Sequence, residues 1–142
     1  MNPNKKRLRR TMMFLNAQKP GLIKDPYIYK PDSIMLDLED AVAEKEKDAA
    51  RFSLYHALQE IDYHGVERVV RINGLDSPYW KEDIRCAVAG GCDAIRIPKT
   101  ESAQDVKAVG KCRKRIRHSG RKNTDHGSPG ICKRNHESPG YL

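Results

Sequence analysis

Four short apolar runs, Thr11–Leu15, Ser33–Asp37, Arg68–Ile72 and Ala94–Pro98, are spaced along the chain, and each ends in polar or charged residues. Segments with helical periodicity separate them. A chain that alternates in this way has few folds open to it. Strands joined by helices pair in parallel, and the side chains able to do chemistry collect at the strand C-terminal ends. Those ends carry Asp37-Leu38-Glu39-Asp40, Arg71-Ile72-Asn73-Gly74 and Arg96-Ile97-Pro98-Lys99-Thr100-Glu101.

The connecting segments support this reading. Met12–Leu15 is continuously apolar, as a strand covered on both faces requires. Gln18-Lys19-Pro20-Gly21 is a turn signal. Over Glu44–Ile61 the residues Ala50, Leu54, Ala57, Leu58 and Ile61 recur at helical spacing, and His64-Gly65 closes the unit. Ser77-Pro78 reads as a cap followed by a first-turn proline, opening a helix that Gly90-Gly91 stops. A last helix is expected over Ala103–Val109.

From Lys111 the character changes. Residues 111–142 hold nine Lys and Arg against only Asp125 and Glu137, so most of the net charge of +8 sits there and residues 1–110 are close to neutral. Gly, Pro and His dominate the end of this segment. Such a composition does not bury enough apolar surface to offset its ordering entropy, so 1–110 is expected to form the folded unit and 111–142 a disordered basic tail. The tail allows a reading as an anion or nucleic-acid binder. Its Lys111–Arg117 run lacks the interleaved aromatics of a single-strand binder, and nucleic acid is the lesser reading. Cys112, His118, His126, Cys132 and His136 match no standard zinc spacing. No apolar run approaches the roughly 20 residues needed to span a membrane, and no signal-type stretch follows the basic N-terminus. The cytoplasm is the expected location.

The strand-end residues suggest chemistry. Asp37, Glu39 and Asp40 form a carboxylate group able to hold or organise a divalent cation, or equally to cap a helix and form ion pairs. Arg71 offers a bidentate fork to a carboxylate or phosphate, or a salt bridge to Asp37 or Glu39. Lys99 could neutralise an anion or remain solvated.

At these residues the chain resembles the citryl-thioester lyases, the citrate lyase β-subunit family within the HpcH/HpaI aldolase-like group. The resemblance covers about residues 7–110. It rests on Arg9-Arg10-Thr11-Met12-Met13-Phe14, on Asp32 to Val42, on Glu46-Lys47-Asp48-Ala49-Ala50-Arg51, on Val69 to Ser77, and on Ile95 to Glu101. It implies an α/β fold, here the N-terminal half of a TIM-type (β/α)8 barrel with about four βα units, since a complete barrel takes roughly 250 residues. It further implies Mg2+ and a carbon–carbon lyase that cleaves citryl-acyl carrier protein to oxaloacetate and acetyl-acyl carrier protein. The implied partners are the carrier subunit and an α (transferase) subunit in a hetero-oligomer. By motif, Arg71 would bind a substrate carboxylate, Lys99 would neutralise an anion, and Asp37, Glu39 and Asp40 would organise the metal side. Malyl- or citramalyl-thioester lyases and aldolases of the same group are the alternative.

Two departures stand out. Leu15-Asn16-Ala17 replaces the Val-Pro-Gly turn usual after the first strand. The fifth-strand Ile-Glu-Ser-Pro motif, which supplies a metal Glu, survives only as His136-Glu137-Ser138-Pro139-Gly140, with Glu137 as its candidate ligand; the sixth-strand Asp has no counterpart. A truncation or frame change near Gly110 is the expectation, and with it an inactive fragment.

Overall fold

In a computed structural model that describes residues 8–122, the apolar runs form strands and the periodic segments between them form helices. In chain order these are β1 (Met12–Asn16), α1 (Pro20–Ile23), β2 (Ser33–Asp37), α2 (Lys47–Glu60), β3 (Glu67–Arg71), α3 (Trp80–Gly90), β4 (Ala94–Arg96) and α4 (Ala103–Lys122). Single 3-10 turns occupy Pro26–Tyr29 and Glu44–Glu46, the latter taking the first turn of the helix expected from Glu44. All strand pairs are parallel, in the order β1-β2-β3-β4.

The register sorts the strand side chains into two sets, because paired residues in a parallel sheet share a face. One face carries three rungs: Met12, Ser33 and Glu67; then Phe14, Met35, Val69 and Ala94; then Asn16, Asp37, Arg71 and Arg96 at the C-terminal end. The other face carries Leu15, Leu36, Val70 and Ile95. Helices pack on this second face. Leu15, Ile34, Leu36 and Val70 join Leu54 and Leu58 of α2, Ile84 and Ala87 of α3 and Val109 of α4 in one core cluster. Each fully buried aliphatic side chain there contributes about 1.5–3 kcal/mol. The rung face lies outside that cluster, and its Phe14 is 53% exposed at the β1 edge. Layered rungs on one face and helices on the other make up the wall of a (β/α) barrel.

At the N-terminal end of the sheet Arg9 forms a two-pronged bridge to buried Glu67, 2.7 and 2.6 Å, and Arg10 does the same to Asp32. The two motif arginines therefore hold the end opposite the strand C-termini. Tyr63 anchors α1 by donating its hydroxyl to the Ile23 carbonyl, 2.8 Å.

Three expectations change. The fourth strand ends at Arg96 rather than at Pro98. The last helix does not stop before Gly110 but runs to Lys122. Its packed side carries Val109, Cys112 and Ile116, while Lys107, Lys111 and Lys114 face solvent. Most of the charge run thus lies on the outer face of an amphipathic helix, with Arg113 partly buried at its border, and Gly110, with open space around its Cα, is tolerated within it at a cost of about 1 kcal/mol. The third helix starts at Trp80 rather than at Pro78. Ser77 instead closes a turn, donating its hydroxyl to the Gly74 carbonyl and accepting the Tyr79 N–H.

Candidate functional site

The C-terminal rung brings together Asp37 of β2, Arg71 of β3 and Arg96 of β4. Asp37 is fully engaged. One oxygen accepts Arg71 Nε, 2.8 Å, and the Glu39 amide, 2.9 Å; the other accepts an Arg71 terminal nitrogen, 2.6 Å, and the Ala41 amide, 3.3 Å. Burial alone would push this carboxyl up, but the Arg71 fork and the two amides outweigh it and hold Asp37 below the usual carboxylate range. The second terminal nitrogen of Arg71 lies 3.1 Å from Glu39 and 3.3 Å from Asp40. Arg71 thus makes the salt bridge that was one of its two readings, and all three carboxylates of the motif converge on it.

The neighbours differ in exposure. Glu39 is buried, and burial lifts its carboxyl above the usual range although Arg71 opposes this. Asp40 is exposed. Lys99 sits in the left-handed backbone region, φ 45°, with an exposed ammonium 3.9 Å from Glu39. Below the rung, the Phe14 ring lies 5.6 Å from the Arg71 guanidinium and 5.9 Å from that of Arg96. Asn16, the last residue of β1 in the segment that replaces the expected turn, donates to the Ala41 carbonyl at 2.6 Å and ties the end of β1 to the carboxylate loop. A cleft of about 250 Å3 opens alongside, lined by Gly74, Asp76, Pro98, Lys99, Glu101 and Asp105.

Sequence reasoning missed Phe14, which reads as one more apolar strand residue, and the buried polar groups Lys47, Arg51 and Asp83; Asn73 was placed at a strand end, without its partners. Alternation along β1 places Phe14 on the rung face two residues from Asn16. Nothing in the spacing marks Lys47, which reads as an ordinary charged residue at a helix start. Glu137, His126, Cys132 and His136 lie outside the described residues.

A family model, HpcH/HpaI aldolase/citrate lyase, matches residues 10–131. The chain belongs to this family. Within it, the chain is 56% identical over 100 residues to the citrate lyase subunit beta of Leuconostoc mesenteroides, covering 70% of this chain and 33% of the relative. It is 37% identical over 100 residues to a (3S)-malyl-CoA thioesterase of Cereibacter sphaeroides, covering 70% and 35%. Among solved structures, the citrate lyase beta subunit of Mycobacterium tuberculosis complexed with oxaloacetate and magnesium superposes with a TM-score of 0.57 at 30% identity, covering 73% of this chain and 46% of that one. The fold is therefore α/β, with four parallel strands matching part of a TIM-type barrel. The chain spans about a third of the length of the curated relatives it matches.

The magnesium of that M. tuberculosis structure would need carboxylate oxygens free of other partners. Both oxygens of Asp37 already hold two donors each, and Glu39 faces the Arg71 cation. No group of three or more His, Cys, Asp or Glu among the described residues is placed to hold a metal ion. The described carboxylates do not fit a magnesium ligand set. Their arrangement orients a guanidinium.

Proposed function

We propose that this chain carries the carboxylate-binding side of a citryl-thioester lyase site, in which citryl-acyl carrier protein is cleaved to oxaloacetate and acetyl-acyl carrier protein. The observation that carries the reading is the Arg71 guanidinium, locked on one edge by Asp37 at the sheet's C-terminal end and facing Glu39 and the exposed Asp40 on the other. The edge shared with Asp40 is the one that exchanges for a substrate carboxylate, because an exposed ion pair is held weakly. The Nε edge stays with Asp37 and fixes the direction of the fork. Lys99 lowers the cost of bringing a second anion to the mouth.

In the cleavage the citryl hydroxyl loses a proton, and the bond to the thioester-bearing CH2 breaks. The hydroxyl carbon becomes the ketone of oxaloacetate, and the electron pair moves onto the thioester as an enolate, which takes up a proton. The residues described here bind and orient the carboxylate. Glu137 is the metal ligand this reading proposes from beyond them, and the carrier and transferase subunits are its proposed partners. On its own the chain is expected to bind product without turnover.

Oxaloacetate titration by calorimetry tests this. Arg71→Ala should weaken binding at least about tenfold, the loss of a charged hydrogen-bonded pair. Equal binding by wild type and R71A would reject the role of Arg71, and steady citryl-thioester cleavage by the purified chain would reject its incompleteness. The likeness to a malyl-CoA thioesterase supports a second substrate reading, a malyl thioester, and malate in the same titration separates the two.

A further inference from the structure

Beneath the carboxylate loop lies a set of buried polar groups that the proposed chemistry does not use. Lys47 opens α2 and is 5% exposed. Its ammonium donates to two backbone carbonyls, Leu38 at 2.6 Å and Glu39 at 2.7 Å, rather than to a carboxylate. The Leu38 carbonyl also accepts the Asn73 side-chain amide, 3.0 Å. Asn73 in turn gives both its backbone N–H, 2.8 Å, and its side-chain N–H, 2.7 Å, to one oxygen of Asp83 on α3. Asp83 is fully buried, and its other oxygen accepts Arg51 of α2 at 2.8 Å. The hydrogen bonds form a closed circuit from α2 through both site loops to α3 and back.

A buried ammonium or carboxylate costs several kcal/mol of desolvation, and well-packed apolar residues of similar volume are often neutral or better for stability. Stability of the core alone does not call for a lysine at position 47. What Lys47 and Asp83 supply is direction. The Glu39 N–H shares its peptide unit with the Leu38 carbonyl, so holding that carbonyl inward on Lys47 and Asn73 turns the N–H toward Asp37, while the Glu39 carbonyl is held by Lys47 together with the Val42 N–H, 3.2 Å. We infer that Lys47 and Asp83 are positioning residues: by holding the Leu38 and Glu39 carbonyls and Asn73, they fix the two loops that aim Asp37, Glu39 and Arg71. The functional weight of those loops rests on the reading above, but the placement is testable without any ligand.

The test uses the full chain, with amide exchange and the Arg71 Nε–H resonance read by NMR. In Lys47→Met, exchange at the Glu39 and Ala41 amides should rise at least about tenfold. The Arg71 Nε–H signal should move toward that of free arginine, while Leu36 and Val70 in the strands keep their protection. Asp83→Asn sets an amide NH2 against a donor and should loosen the Asn73 amide in the same local way. Lys47→Arg, which keeps a cation, should hold the loop. If K47M does not fold, Lys47→Gln is read instead against K47R. Exchange rising equally in loop and strands would mean a structural role only and would overturn the inference. So would an unchanged loop with an unchanged Arg71 signal. A variant that loosens only the loop in a chain that binds no oxaloacetate would keep this inference and reject the proposed function.

Discussion

Asp37 shows how one side chain can be expensive to bury and still be fixed in the charged form. Four donors meet its two oxygens, and that number decides the sign of its titration. Because the folded-state pKa lies below the ordinary value of 3.8, its stabilisation is complete above the unfolded value and is lost as pH falls through the folded one. Unfolding free energy should therefore drop on acidification below about pH 4, and Asp37→Asn should flatten that part of the profile in urea denaturation. The same variant is expected to cost about 2–3 kcal/mol at neutral pH, since it leaves Arg71 with weaker partners. Glu39 works in the opposite sense: burial raises its carboxyl, so its contribution is present at low pH and shrinks as pH rises through the raised value. The Asp37–Arg71 meeting was legible as one of two readings, because both residues end strands. Lys47 was not, because its partners are backbone carbonyls that no residue pattern reveals.

At the scale of elements, β1, β2 and β3 were readable within a residue from their apolar runs, while β4 ends at Arg96, two residues before the expected Pro98. The helices were readable where one face carries the packing, as Ala50, Leu54, Ala57 and Leu58 do on α2. The other errors fell at helix ends. Gly110 is a stop signal in general but sits here inside an amphipathic run, and Ser77-Pro78 is spent on a turn. The contact of α2 with α3 depends on Gly90: a Cβ there would come within 2.8 Å of the end of Leu58 and 3.1 Å of its Cβ. Gly90→Val is expected to destabilise by about 1–3 kcal/mol in thermal or urea melts, the range for overpacking a close helix crossing. The same crossing shelters Cys86, whose thiol donates to the Arg51 carbonyl and is pushed up to about 12, mainly by burial. At pH 8 Cys86 should resist iodoacetamide in the folded chain and react after denaturation, as read by mass spectrometry. Alkylation at equal rates in both states would show that the crossing opens readily.

Across the whole molecule, helices cover one face of the sheet, while on the other Phe14 is 53% exposed. An exposed aromatic on a strand at the border of a sheet invites association. The chain should bind a hydrophobic dye and self-associate as concentration rises, and Phe14→Ser should reduce both, as followed by fluorescence and light scattering. No change in F14S would place the association surface elsewhere. The rungs carry one more consequence. Side chains alternate faces along a strand, so a one-residue slip of β3 against β2 would send Arg71 into the helix layer and set Val70 or Ile72 opposite Asp37. The bridge forms in one alignment only. It therefore serves as an index mark for strand assembly: a misaligned sheet leaves a buried carboxylate without its partner and is penalised at once, so a chain that has folded in register has already set its guanidinium where a carboxylate ligand would meet it.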